Sequence, residues 1–115
     1  MWLTIMDKSS QNQLGLILTS LGNGKRRGMI EYLALSPATV SQLAKEYGLS
    51  LPAAHKHIRS LEEAKLIHRR KSGRTNFVSL NTSSLLLMQQ WALKFNTAWG
   101  NDKATLENYI SSMEH

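Results

Sequence analysis

The sequence has no cysteine. Without thiols there is no disulfide framework and no thiolate metal site, and the chain suits a reducing compartment. Acid is scarce as well. Eight Asp and Glu stand against fourteen Lys and Arg, for a net charge of +6 and a pI near 9.9. A balance this basic points to a polyanionic partner. No apolar run approaches the roughly 18–20 residues of a membrane span. The start, MWLTIMDKSSQNQ, lacks the charged, apolar and small-residue regions of a signal peptide. The expected location is therefore cytoplasmic, with no membrane partner. Catalytic signatures are missing too: no H-E-x-x-H, no phosphate loop, no nucleophile arrangement and no convincing carboxylate pair. The chain does not read as an enzyme.

What is present fits one domain, 1–115, since typical domains run to roughly 100–150 residues. Apolar residues make up 42% of the chain, enough for one core. The sequence shows no internal repeat and no low-complexity segment.

Leu14, Ile17, Leu18 and Leu21 follow the i, i+3, i+4, i+7 spacing of an amphipathic helix over 10–21. The stretch GNG at 22–24 ends it. A second helix fits 25–35, with Met29, Ile30, Leu33 and Ala34 inward, and Ser36-Pro37 breaks it. Thr39 caps a short third helix over 40–47, with Val40, Leu43, Ala44 and Tyr47 as its apolar stripe. Gly48 ends that helix. Ser50 then caps a fourth, which starts at Leu51-Pro52 and runs to about Ala64. At about 100° per residue, Leu51, Ala54, Ile58, Leu61 and Lys65 share one face, and Pro52, Lys56, Arg59 and Glu63 the opposite one.

Segments 66–71 and 75–80 read as strands about a tight SGR turn. Beyond them Asn81 or Thr82 caps a long helix through Leu85, Leu86, Leu87, Met88, Trp91, Ala92, Phe95 and Trp99. Gly100-Asn101 bends or breaks it, and Leu106, Tyr109, Ile110 and Met113 form a last apolar stripe.

The charge is concentrated. Residues 55–76 hold seven of the fourteen Lys and Arg, against Glu62 and Glu63 alone. Lys25, Arg26 and Arg27 add a second cluster. Two short helices joined by a Gly turn, the second with a basic outer face, make a helix-turn-helix over 39–64. The basic hairpin over 66–80 makes it winged. The second helix of such a motif enters the major groove by its N-terminal end. Lys and Arg neutralise phosphate there while a few side chains read base edges.

Residues 40–80, VSQLAKEYGLSLPAAHKHIRSLEEAKLIHRRKSGRTNFVSL, resemble the core of the ArsR family of transcriptional regulators. Leu43-Ala44, Gly48-Leu49-Ser50, His57-Ile58, Leu61, Ala64, Leu66-Ile67 and Gly73-Arg74 fall in register with its pattern. The C-terminal stretch WALKFNTAWGNDKATLENYI is similar to a subgroup of that family. The resemblance implies a mostly α fold with a small β-hairpin, a winged helix-turn-helix with flanking dimerisation helices over 10–21 and 83–113. It implies a dimeric repressor on a palindromic operator, with double-stranded DNA and a second copy as partners. Three positions depart from the pattern. His55 stands where Ser is usual, Ala54 where Val is usual, and Lys65 where Gly is usual. A differently shaped turn into the hairpin is the expected result at Lys65.

The residues expected on DNA are Leu51, Pro52, His55, Lys56 and Arg59 of the helix, with Arg69, Arg70, Lys71 and Arg74 of the wing. Arg74, at the turn, suits a narrow minor groove. The expected dimer interface takes Leu14, Ile17, Leu18 and Leu21 from the first helix. From the last helices it takes Trp91, Phe95, Trp99, Leu106, Tyr109 and Ile110.

Many ArsR relatives sense metals through Cys, or through His and carboxylate pairs on the last helices. Here residues 82–99 hold no His, Asp or Glu, so no metal and no other cofactor is expected. His55 and His57 lie about 200° apart around a helix and cannot converge on one ion. His55 is either a DNA contact or a solvated residue. His57 is either structural or a phosphate contact, and His68 reads as strand surface. A Trp- and Met-rich interface could hold an apolar effector, but helix packing accounts for those residues. The alternative function is a winged-helix module for protein or RNA.

Overall fold

Four helices begin where a side chain takes up free backbone amides. The computed structural model describes residues 7–95 and 102–114. Asp7 accepts from the Ser10 amide at 2.7 Å and opens α1 (Lys8–Leu21). Those amide bonds hold the Asp7 carboxyl below the usual carboxylate range. Asn23 accepts from the Lys25 and Arg26 amides and opens α2 (Gly24–Leu35). Thr39 and Gln42 form a capping box, with bonds of 3.1 and 2.8 Å, at the start of α3 (Val40–Glu46). Ser50 accepts from the Ala53 amide and opens α4 (Leu51–Glu63), with Pro52 in the first turn, where its missing N–H costs nothing.

Ala38–Thr39 forms a short strand, β1, ahead of α3. It is followed after α4 by β2 (Ile67–Ser72), β3 (Thr75–Leu80), α5 (Thr82–Leu93) and α6 (Asp102–Met113). The strands form one antiparallel sheet in the order β1-β3-β2. Ala38 faces Val78, and Ile67 faces Leu80 across the hairpin. The hairpin closes on Gly73-Arg74, with Gly73 at φ +62°, the first turn position where a type II′ turn needs a positive φ. β1 was not expected from the sequence. Two residues after a proline show no alternation, and their strand geometry comes from pairing with β3.

The core gathers Ile17 of α1, Met29 of α2, Leu43 of α3, Ile58 and Leu61 of α4, Leu66 and Val78, all essentially inaccessible. Burying each such side chain contributes about 1.5–3 kcal/mol. The expected faces need three corrections. Ala34 is exposed, with only Met29, Ile30 and Leu33 of α2 buried. Leu51 is 50% exposed, because the first residue of α4 lies beyond the edge of the core. Lys65 is exposed and lies past the helix end at φ +59°.

A further correction concerns α1. Leu14 and Ile17 are buried within the chain, so they have no surface to give to a partner. Leu21 is half-buried against the same core. Leu18 remains exposed, and Leu16 is exposed beside it. On α5, Leu86 and Leu93 are exposed, and Phe95 just beyond the helix is 64% exposed. Trp91 is half-buried and meets Phe95 edge-on at 5.1 Å. Leu106, Tyr109, Ile110 and Met113 of α6 are all exposed. Trp99 lies outside the described residues. The radius of gyration is 19.1 Å, against about 13 Å for a compact domain of this length.

Candidate nucleic-acid interface

The turn between α3 and α4 fixes how α4 is presented. Gly48 sits at φ +62°, and Leu49 N donates to Ala44 O at 2.8 Å. That Schellman closure reverses the chain within a few residues. α4 then buries Ala54, Ile58 and Leu61 completely and turns Pro52, Lys56, Arg59 and Glu63 to solvent. Leu51 and Pro52 stand exposed at its N-terminal end, and His55 is half-buried at the edge of the outer face. Leu51, Pro52, His55, Lys56 and Arg59 therefore form one accessible surface on the first half of α4.

His57 is not part of that surface. Its Nδ1 accepts from Arg26 Nη1 at 3.1 Å, and Arg26 Nε donates to Ser20 O at 2.7 Å. Ser20 and Ser60 share a hydrogen bond of 3.0 Å alongside. Together these bonds tie α4 to the α1–α2 junction. Burial, then the charges of Arg26, Lys25 and Lys56, push the His57 imidazole below its ordinary pKa. The structural role for His57 follows, since the nitrogen that accepts from Arg26 must be unprotonated.

The basic cluster at 25–27 is likewise occupied. Lys25 Nζ donates to Tyr47 O at 3.1 Å, Arg26 to Ser20 O, and Arg27 Nη1 to Leu21 O at 2.7 Å. The three cations take carbonyls at the ends of α3 and α1, where backbone acceptors lack helical partners and the helix dipole favours positive charge.

The wing divides its cations between two faces. Ile67, Arg69 and Lys71 alternate on the face toward α4, and His68, Arg70 and Ser72 on the other. Arg69 is held by Glu62 of α4 through two bonds, Nη2 to Oε1 at 2.9 Å and Nε to Oε2 at 3.1 Å. Expected on DNA, it is committed to a carboxylate instead. Arg70 is exposed on the far face, beside a shallow groove lined with Pro37, His68, Phe77 and Ser79. Lys71 and Arg74 are exposed toward the tip. Nothing in the sequence signals the Glu62–Arg69 pair, because the six residues between its members span a helix end and a turn, which no helical or strand period covers.

A polar node lies behind the wing. Asn81 Nδ2 donates to Lys65 O at 2.8 Å, Ser84 Oγ donates to the same carbonyl, and Gln13 Nε2 donates to Ser84 Oγ at 3.2 Å. Among the described residues no buried side-chain polar atom lacks a partner. Nor do the described residues group three or more His, Asp or Glu for a metal ion. No helix among them is long and apolar enough to cross a membrane.

Comparison with known proteins agrees with this geometry. A helix-turn-helix domain family matches residues 21–70. The HTH-type transcriptional regulator Rv2034 of Mycobacterium tuberculosis is 31% identical over 70 residues, covering 61% of this chain and 65% of that protein, just under two thirds of its length. The transcriptional repressor SdpR of Bacillus subtilis is 26% identical over 86 residues, covering 75% of this chain and 96% of that protein. Among solved structures, the ArsR family transcriptional regulator RHA00566 superposes with a TM-score of 0.70 at 27% identity, covering 79% of this chain and 91% of that one. The homodimeric winged helix-turn-helix DNA-binding domain Mb0332 of Mycobacterium bovis shares the fold with a TM-score of 0.62 at 20% identity, over 82% of this chain and 93% of its own. With its helix-turn-helix and its wing, the chain has the winged helix-turn-helix fold and is similar to ArsR-family transcriptional regulators.

Proposed function

We propose that the protein is a dimeric repressor that binds a palindromic operator in duplex DNA. The first half of α4 enters the major groove, with Leu51, Pro52, His55 and Lys56 nearest the bases and Arg59 on phosphate or a base edge. The hairpin tip, with Lys71 and Arg74, follows the neighbouring backbone, and Arg74 reaches the minor groove. One observation carries this. The cations of α4's outer face and of the wing tip are exposed, while Arg26 and Arg69 are half-buried and hydrogen-bonded to acceptors of the chain itself. Free cations supply the phosphate contacts on which affinity rests.

The second copy is supported by the exposed apolar residues of α1, α5 and α6, since uncovered apolar area on this scale marks an interface. The homodimeric relative of the same fold and the repressor relative point the same way. A two-fold dimer matches a palindrome. The experiment is selection of bound sequences from a random duplex pool, with a random RNA pool in parallel. The expected result is an inverted repeat with half-sites about one helical turn apart. Enrichment of RNA, or of no duplex sequence, would overturn the proposal.

A further inference from the structure

We infer that Glu62 and Arg69 are positioning residues for DNA binding, and that their ion pair sets the angle of the wing to the recognition helix. The inference rests on the DNA-binding function proposed above. β2 is an outer strand, hydrogen-bonded to β3 alone. On its face toward α4, Ile67 is buried, Arg69 is half-buried, and Lys71 is already exposed. Arg69 is thus the last residue on that face of β2 before the strand runs into solvent. Both ends of the tie are oriented by two parallel bonds. That fork geometry fixes direction as well as distance.

The placement of Glu62 supports the same conclusion. A carboxylate in the last turn of a helix opposes the helix dipole. It also stands beside a surface meant for phosphate. A bound cation offsets both costs. Arg69 does so and gives up a phosphate contact in return.

This predicts a sign that simple charge counting would reverse. Removing an acid near a DNA-binding surface should tighten binding by Coulomb attraction alone. If the pair positions the wing, removal loosens binding. The test titrates the selected operator, over a range of salt, with wild type, Glu62→Ala, Arg69→Ala and the swapped pair Glu62→Arg/Arg69→Glu. Glu62→Ala should weaken binding about fivefold, the upper range for a partly shielded pair. Arg69→Ala should weaken it similarly without changing the salt slope, where a lost phosphate contact would lower the slope by about 1. The swapped pair should recover most of the affinity. Tighter or equal binding by Glu62→Ala, or a lowered slope in Arg69→Ala, would overturn the inference. If the wild type binds no duplex, the function proposal fails by itself. Amide exchange in the free protein then decides the brace. Residues 69–78 should exchange faster in Glu62→Ala and slow again in the swapped pair, and unchanged exchange would overturn it.

Discussion

Lys65 closes α4 with the same two backbone hydrogen bonds by which Gly48 closes α3. Gly48 N donates to Lys45 O and Leu49 N to Ala44 O, while Lys65 N donates to Glu62 O and Leu66 N to Leu61 O. The two φ angles are +62° and +59°. Lys65 has therefore taken the left-handed conformation that glycine adopts freely, and the turn into the hairpin keeps a regular Schellman form. A Cβ in that region costs about 1 kcal/mol or more. Lys65→Gly should stabilise the protein by about 0.5–1 kcal/mol after the greater unfolded-state freedom of glycine is subtracted. Thermal unfolding would show this as a rise of roughly 2–4 °C in Tm. Gly48→Ala should do the reverse. An added Cβ at Gly48 meets no atom within 4 Å, so backbone strain alone sets its cost.

His57 makes stability depend on pH. Its pKa is lowered in the folded chain, by burial first and then by Arg26 and the neighbouring lysines. The unfolded chain binds a proton at the ordinary imidazole value of about 6.5, before the folded chain does. The His57 contribution is therefore present above that pH and declines as the pH falls below it toward the folded value. His57→Ala should cost about 1 kcal/mol in urea unfolding near neutral pH, the worth of the bond from Arg26. The gap between wild type and variant should narrow at about pH 5. A gap that stays constant with pH would contradict the assignment.

The helices are legible where Thr39 and Ser50 mark starts and the apolar stripes keep helical spacing, whereas Asn81, expected to cap the helix after the wing, makes no side-chain cap bond. Ser50, Thr39 and Gly48 all do in the structure what their residue types suggest. What the sequence hides depends on contacts between elements. Periodicity places Leu14 and Ile17 on an apolar face but does not say whether that face meets the chain's own core or a second copy. The outer cations of α4 follow from helical phase. The wing cations do not, since alternation assigns Arg69 and Arg70 to opposite faces without revealing that Glu62 waits on one of them. Arg26 and Arg27 read as a charged surface, yet they are consumed by carbonyls of α1 that lie near only once the chain has turned at Gly22-Asn23.

The exposed cations divide into two kinds of contact. Lys56→Ala and Arg59→Ala should weaken operator binding by about tenfold each, within the range expected for base-edge or phosphate contacts at a groove. Arg74→Ala should instead lower the slope of log affinity against log salt by about 1, as one phosphate contact fewer. Arg27→Ala should change neither quantity, because its guanidinium is anchored on Leu21 O at the end of α1 rather than on α4 or the wing. Mobility-shift titrations at three salt concentrations separate these outcomes. Unchanged binding in all three groove variants would reject the interface.

The buried and exposed halves of the apolar helices respond differently to substitution. Ile17→Ala removes a fully buried side chain and should destabilise the single chain by about 2–4 kcal/mol. Ile110→Glu and Phe95→Glu change exposed positions. Within a lone chain such changes stay within about 0.5 kcal/mol. At a dimer interface they bury an unpaired charge and should weaken association by about thirtyfold or more. Sedimentation at micromolar concentration should therefore show wild type at twice the 13.0 kDa chain mass and the two Glu variants shifted toward that mass, with their unfolding by urea at low concentration little changed. A wild type that sediments only as the single chain would refute the dimer. Variants that dimerise as tightly as wild type would move the interface away from Phe95 and α6.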